Sequence, residues 1–270
     1  MNITFIGGGN MASAIIGGLI RKRWPRGSIQ VVEVARAARA QLARAFKVRV
    51  RSALDAGAAD SECIVLAVKP QQLREVARAL KPLLVRQLII TIAAGVRVRD
   101  LSRWLGGYPR IVRVMPNTPA LALAGISGLY AGSGVNAAGR AAAQRILGAV
   151  GSTLWVDRED DLDAVTAVSG SGPAYVYYFV EALERAAREL GLAADAAHRL
   201  AHETFSGALK LAAHSGEPPG TLRGRVTSKG GTTERALVSM EADRVQHAIV
   251  RAVKAAAERS RELGEELGKD

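Results

Sequence analysis

Hydroxyl groups and glycines are concentrated in one short segment near the C-terminus, from Val226 to Glu234. The residues there that could bind a ligand or take part in a reaction are Ser228, Gly230, Gly231, Thr232 and Thr233. Glycines allow backbone N–H groups to approach a ligand closely, and the hydroxyls add short uncharged donors. A helical pattern follows directly, from Arg235 to Glu241. We expect this segment to bind a small anion.

A second glycine cluster, Gly7-Gly8-Gly9, directly follows the apolar run Ile3 to Ile6. In the spacing Gly7-x-Gly9-x-x-Ala12, the first glycine allows a tight turn and the second allows close approach of a pyrophosphate. The small Ala12 lets the following helix pack closely on the strand, and N–H groups at the start of that helix can hold phosphates. The pattern predicts a dinucleotide-binding βαβ unit.

An acidic residue, Glu33, ends the second strand pattern about 20 residues after this fingerprint. A carboxylate at this position accepts the hydroxyls of the adenosine ribose and disfavours a 2′-phosphate, which favours NAD. Arg36 and Arg39 follow on the next helical turn, where an arginine could hold the 2′-phosphate of NADP. The sequence leaves the choice between NADH and NADPH open.

Two further segments leave strand patterns and enter loops: Ala67-Val68-Lys69-Pro70 and Met115-Pro116-Asn117-Thr118-Pro119. Ligands of open α/β sheets bind outside the carboxyl ends of the strands, so both segments are candidates to line the cofactor cleft. The alternatives are a solvated lysine at a helix start for Lys69 and an ordinary core position for Met115.

These motifs need a sheet to position them, and short β-branched runs alternate with helical patterns over the first 160 residues. Strands are predicted at Ile3 to Ile6, Ile29 to Val34, Ile64 to Val68, Leu88 to Ile92, Ile111 to Met115 and Thr153 to Val156. Helical patterns dominate after Asp161. We therefore expect an α/β, Rossmann-like domain with a mostly parallel sheet over residues 1–160 and an all-helical domain over residues 161–270. The acidic stretch Asp157 to Asp163 is the expected junction.

The composition excludes several classes of protein. Hydrophobic residues make up 49% and charged residues 23%, as in ordinary globular domains. The net charge is +12, but the basic residues are scattered and aromatics reach only 4%, which argues against nucleic-acid binding. No apolar run approaches the roughly 20 residues that span a bilayer. We expect a soluble, cytoplasmic protein.

Residues for hydrolytic or metal chemistry are sparse. The lone cysteine, Cys63, lies in an apolar strand pattern, where burial is expected. His198 and His202 are four residues apart beside Glu203, but no third metal ligand stands out in the sequence, so no metal site is predicted. No histidine lies in a loop beside the hydroxyl-rich segments, which excludes a Ser-His-Asp arrangement.

Taken in order, the motifs resemble those of pyrroline-5-carboxylate reductases over nearly the whole chain. The matching segments are Gly7 to Met11, Ala67 to Pro70, Met115 to Pro119, Ser169-Gly170-Ser171-Gly172-Pro173 and Thr227 to Thr233. The resemblance implies a Rossmann domain, a helical domain that builds a homodimer or a larger ring, and reduction of 1-pyrroline-5-carboxylate to L-proline by NADPH or NADH.

The same resemblance implies roles for individual residues. Gly7, Gly9, Asn10 and Met11 would hold the cofactor pyrophosphate, and Ala67 to Pro70 with Met115 and Asn117 would flank the nicotinamide. The substrate carboxylate and ring nitrogen would be held by Ser228, Gly230, Gly231, Thr232 and Thr233. Thr233 is the hydroxyl implied near the imine, as a hydrogen-bond partner.

Two departures from the family pattern stand out. Lys229 occupies a position where the family usually has proline, which puts an extra cation near the expected carboxylate site. Leu54 stands where an asparagine is common, which removes one expected contact on the adenosine side. Two other functions remain open: a reductase of the hydroxyacid-dehydrogenase type, with Lys210 as its candidate base, and a non-catalytic dinucleotide sensor.

Overall fold

The computed structural model describes residues 1–269, which form two compact units. The first unit contains Met1–Ser171 together with the chain from Ala256 onward, and the second contains Gly172–Ala255. The first unit is built around a β-sheet and the second is helical, which confirms the predicted fold class. The domain boundary predicted at residue 160 stays a prediction.

Within the described residues, eight strands form one sheet, and all of them lie in the first unit. The strands are β1 (Ile3–Ile6), β2 (Ile29–Val32), β3 (Arg49–Arg51), β4 (Cys63–Leu66), β5 (Leu88–Thr91), β6 (Ile111–Met115), β7 (Gly125–Ala131) and β8 (Gly151–Trp155). Every residue of β1, β2, β4 and β5 is buried. Such fully buried strands are typical of parallel sheets covered by helices on both faces.

The strand order is β3-β2-β1-β4-β5-β6-β7-β8, and β6 with β7 is the single antiparallel pair of the described sheet. The chain moves outward from β1 to β3 and then crosses back to place β4 on the other side of β1. This change of direction creates a crevice at the carboxyl end of β1, where ligands of doubly wound sheets bind. The loops after β1, β2 and β4 border it.

The helices of the described chain follow the predicted alternation in the first half and dominate the second. They are α1 (Asn10–Arg21), α2 (Arg36–Phe46), α3 (Ala56–Ala59), α4 (Pro70–Leu80), α5 (Val98–Trp104), α6 (Ala137–Leu147), α7 (Asp161–Val165), α8 (Gly172–Glu189), α9 (Ala194–Ser215), α10 (Pro219–Arg225), α11 (Thr232–Ala242) and α12 (Val245–Gly268). A single π-helical turn, Thr166–Gly170, follows α7. None of the helices in the described part of the chain is both long and apolar enough to cross a membrane.

The acidic stretch that runs into α7 is fixed by ion pairs and a hydrogen bond within the first unit. Arg97 binds Asp160 at 2.5 Å and Asp163 at 3.2 Å, and the hydroxyl of Ser260 on α12 donates to Asp163 at 2.7 Å. Burial alone lowers the pKa of Arg97, but the neighbouring carboxylates of Asp160, Asp163 and Glu159 outweigh it and raise that pKa. The C-terminal part of α12 is thereby anchored to the sheet unit.

The second unit buries little of its own apolar surface. Its buried side chains, within the described residues, are Val180, Ala197 and Ala201. Large apolar side chains remain exposed on its helices, among them Tyr177, Tyr178, Leu190, Leu209 and Leu211. Helices that leave such faces uncovered need a further apolar surface to pack against.

Candidate cofactor and substrate sites

The crevice in the first unit is a cavity of about 510 Å³ at the carboxyl ends of β1, β2 and β4. Its wall includes Gly7, Gly9, Glu33, Ala67, Val68 and Lys69. The structure therefore brings together six of the residues predicted for the cofactor, from three separate loops. Leu54, one of the two departures from the family pattern, also lines this cavity.

Two glycines of the first loop are required for different reasons. Gly7 has φ +95°, in the region that favours glycine, and a Cβ built on it would lie 2.7 Å from the carbonyl oxygen of Ala67. Gly9 has an ordinary φ of −66° at the N-cap of α1, and a Cβ there would meet no described atom within 4 Å. Gly7 is therefore needed by the fold, whereas the space beside Gly9 is a cradle open to a ligand.

The carboxylate of Glu33 is held firmly at the end of β2. One oxygen accepts the N–H of Gly8 at 3.0 Å and the other accepts the N–H of Ala35 at 2.9 Å. Arg39 donates to the carbonyl oxygens of Glu33 and Val34, at 3.0 and 2.6 Å, and so helps to close the loop. Arg36 is the first residue of α2, and its side chain is exposed.

The other predicted cofactor residues occupy the starts of helices or the end of β6. Asn10 is exposed at the first position of α1, whereas Met11 packs against the core. Pro70 is the first residue of α4, where its missing N–H leaves no hydrogen bond unmade, and Lys69 is the exposed N-cap. Neither Asn10 nor Met11 lines the crevice described above.

Met115 and Asn117 at the end of β6 are both constrained by neighbours. The carboxamide oxygen of Asn117 accepts the N–H of Ile126 at 2.9 Å and so holds the start of β7. A Cβ built on Gly170 would lie 2.5 Å from the Cε of Met115. Gly170 therefore makes room for the Met115 side chain from within the π-helical turn.

The segment predicted for the substrate lies in the second unit, between α10 and α11. Gly230 has φ +72°, and its N–H donates to the Glu234 carboxylate at 2.6 Å, which fixes the turn into α11. Gly231 is the N-cap, and Thr232 and Thr233 are the first two residues of α11. In the described structure, the hydroxyls of Ser228, Thr232 and Thr233 form no hydrogen bond to protein, so they are free to bind a ligand. The nearby Thr227 hydroxyl donates instead to the Arg223 carbonyl at 2.7 Å.

Several residues escaped the sequence reasoning. Gln72 and Val76 on α4 line the crevice, and the helical spacing after Pro70 is the signal that places them on one face. Gly170 appeared above only within the segment Ser169 to Pro173, without a role of its own, and only the folded chain reveals its contact with Met115. The burial of Cys63, by contrast, was expected from its apolar strand pattern and is confirmed: the residue is fully buried, and burial raises the pKa of its thiol, which makes it inert.

Comparisons with known proteins agree with this arrangement. Residues 159–263 match the family model for pyrroline-5-carboxylate reductase dimerisation, and residues 2–95 match the model for NADP oxidoreductase coenzyme F420-dependent. The pyrroline-5-carboxylate reductase of Pseudomonas aeruginosa is 45% identical over 98% of both chains.

Solved structures extend the likeness to three dimensions. A pyrroline-5-carboxylate reductase from Coxiella burnetii superposes with a TM-score of 0.93 at 39% identity, over 97% of this chain and 98% of that one. A pyrroline carboxylate reductase from Plasmodium falciparum, with NADP bound, gives a TM-score of 0.86 at 29% identity over 98% of both chains. This chain therefore belongs to the pyrroline-5-carboxylate reductase family.

Proposed function

We propose that this chain reduces the imine of 1-pyrroline-5-carboxylate to L-proline, the last step of proline biosynthesis, at the expense of NADH or NADPH. The ring carbon of the C=N bond gains a hydride and the nitrogen gains a proton, while the cofactor is oxidised to NAD⁺ or NADP⁺. The observation that carries the proposal is the segment at the start of α11, whose free hydroxyls and ordered glycines suit a small anionic substrate.

Binding of the substrate carboxylate is assigned to the backbone and hydroxyl groups of this segment. The N-terminus of α11 presents N–H groups without intrahelical partners, and its dipole favours a negative charge. Ser228 and Thr232 add hydroxyl donors, and Lys229 adds a positive charge beside them. The Thr233 hydroxyl then bonds the ring nitrogen and orients the imine.

The residues around the crevice fit a dinucleotide. The open space at Gly9 and the N-terminus of α1 suit a pyrophosphate, as does the position of the crevice at the carboxyl edge of the sheet. When bound, the cofactor supplies the hydride, so the protein needs no strong acid or base of its own. Asn10 and Met11 border the pyrophosphate in this proposal, and Met115 and Asn117 flank the nicotinamide together with Ala67 to Pro70.

We propose that the chain prefers NADH to NADPH. The Glu33 carboxylate is fixed by two backbone N–H groups at the place where the adenosine ribose binds in such folds, where it accepts hydroxyls and repels a 2′-phosphate. Arg39 is engaged with backbone carbonyls, which leaves Arg36 as the cation that allows some use of NADPH.

Self-association is part of the proposal, as the homodimer or larger ring expected of the family. The second unit leaves most of its large apolar side chains uncovered, and a second copy of the same unit would bury them. We assign substrate binding and dimerisation to residues 161–270 and cofactor binding to residues 1–160.

The single, buried cysteine suits the reducing cytoplasm, where we place the protein.

The proposal is tested by following nicotinamide absorbance when purified protein receives pyrroline-5-carboxylate with NADH or NADPH. We expect turnover with both, a higher kcat/KM with NADH, and a loss of at least about tenfold in kcat for Thr233→Ala that Thr233→Ser partly restores. Thr227→Ala is the matched control, because the Thr227 hydroxyl bonds Arg223 outside the proposed contacts. Confirmed cofactor binding without turnover would favour the sensor instead.

A further inference from the structure

The helical hairpin of α8 and α9 brings together three metal-ligating side chains that are distant from one another in sequence. His198 and His202 lie one turn apart on α9, and Glu184 reaches them from α8. No metal site was predicted from the sequence because a third ligand was missing. In the structure, Glu184 is a candidate for that third ligand. No other chemistry argued above uses these residues.

The distances suit a shared ion. One carboxylate oxygen of Glu184, Oε1, lies 2.8 Å from Nδ1 of His198 and 3.6 Å from Nε2 of His202. All three ligand atoms lie within 4.8 Å of one another. Zinc ligands about 2.0–2.1 Å from a tetrahedral ion are about 3.3 Å apart, so small side-chain rotations are sufficient to admit the ion.

The three side chains are accessible to solvent, and the adjacent arginine does not bind the Glu184 carboxylate. His198 and His202 are 61% and 51% exposed, and Glu184 is 29% exposed. Arg185, next to Glu184 in sequence, instead binds Glu189 at 2.8 Å. Arg185 therefore does not compete with an incoming ion for the Glu184 carboxylate.

We propose that Glu184, His198 and His202 form a binding site for a divalent transition-metal ion, with Zn²⁺ as the representative ligand. Two imidazoles and one carboxylate suit Zn²⁺ far better than Mg²⁺ or Ca²⁺, which prefer oxygen ligands. Three protein ligands leave a fourth coordination position for water. The bound ion fastens α8 to α9 and so stabilises the hairpin.

The direct test is calorimetric titration of tag-free, chelator-treated full-length protein with ZnCl₂. We expect one Zn²⁺ per chain with a Kd on the order of 1–10 μM, weakened at least about 30-fold in both His198→Gln and His202→Gln. Glu184→Gln keeps the shape but removes the charge, and should weaken binding about tenfold. His214→Gln is the matched control: His214 lies on the same helix, bonded to its own backbone at Lys210, and this variant should bind within about twofold of wild type.

A second readout follows the proposed fastening of the two helices. Zinc at about ten times its Kd should raise the thermal midpoint of the wild-type protein by about 3 °C and leave that of His202→Gln unchanged. Absence of saturable binding below about 1 mM would overturn the proposal. So would equal affinity in the wild type and in both histidine variants, with their folds verified by circular dichroism; the cluster would then be an ordinary hydrogen-bonded contact between Glu184 and His198.

Discussion

Gly7 and Gly9 lie in one loop but are needed for different reasons. We therefore predict that Gly7→Ala lowers stability, whereas Gly9→Ala keeps the fold and weakens cofactor binding. In Gly7→Ala, the added Cβ meets the Ala67 carbonyl at 2.7 Å and its carbon at 2.8 Å, and neither atom belongs to a movable side chain. The backbone at φ +95° also disfavours alanine. In Gly9→Ala, the added Cβ meets no described atom within 4 Å.

The expected losses of stability follow from these contacts. For Gly7→Ala, the backbone conformation costs about 1–2 kcal/mol and the overlap costs a further 1–3 kcal/mol, so about 2–5 kcal/mol in total. For Gly9→Ala, only the poorer N-cap matters, at about 0.5–1 kcal/mol. A pyrophosphate approaching the backbone at Gly9 would meet the new methyl group, so cofactor affinity should fall at least about tenfold while the fold is kept.

Urea unfolding followed by tryptophan fluorescence gives the two stabilities, and titration with NADH gives the affinity of each folded variant. The expected pattern is a destabilised Gly7→Ala and a stable Gly9→Ala that binds NADH poorly. Wild-type stability in Gly7→Ala would refute the packing argument. Wild-type NADH affinity in Gly9→Ala would show that the pyrophosphate does not lie beside this glycine.

Three further variants test other parts of the account. Glu33→Gln should raise kcat/KM with NADPH about tenfold, because it removes about 1.4 kcal/mol of repulsion toward a 2′-phosphate, and steady-state rates with both cofactors check this. Gly170→Ala should displace the Met115 side chain and so raise the KM for cofactor at least about fivefold. Because a methionine side chain is flexible, this variant should lose less than about 1 kcal/mol of unfolding free energy in urea. Ser260→Ala should cost about 1.5–3 kcal/mol in urea unfolding, because the buried Asp163 carboxylate loses a hydrogen bond.

The sequence predicted the sheet best where strands are buried on both faces. Ile3–Ile6 and Ile111–Met115 have the predicted bounds, and Cys63–Leu66 differs from the prediction by one or two residues at each end. Two strands were missed. Arg49–Arg51 is short and rich in arginine, and Gly125–Ala131 contains two glycines, one at its first position and one inside it, which strand patterns disfavour.

Close packing explains why β7 contains the glycines that kept it from being predicted as a strand. A Cβ on Gly128 would lie 2.7 Å from the side chain of Val165, and one on Gly125 would lie 2.9 Å from Ala120. Tertiary contact thus overrides strand propensity at both positions. Helix α10 was not predicted either; it begins at Pro219, a residue that fits the first position of a helix because its missing N–H leaves no hydrogen bond unmade there.

In the candidate sites too, features set by spacing along the chain were predictable, whereas contacts between distant segments were not. The glycine fingerprint and Glu33 were predictable because their spacing along one βαβ unit fixes their relation in space. The third metal ligand, Glu184, was not predictable, because it lies on a different helix from His198 and His202 and meets them only through the α8–α9 packing. Met115 and Gly170 likewise meet only in the fold.

Hydride transfer to the imine carbon is the central claim, and isotope labelling tests it most directly. Wild-type protein is given pyrroline-5-carboxylate and NADH carrying deuterium at the transferable position of the nicotinamide, and the product is analysed by mass spectrometry. The account predicts L-proline heavier by one mass unit, formed in equal amount to the NADH consumed, and formed at least about tenfold more slowly with Thr233→Ala. NADH oxidation without labelled proline, or no oxidation by protein that binds NADH, would contradict it.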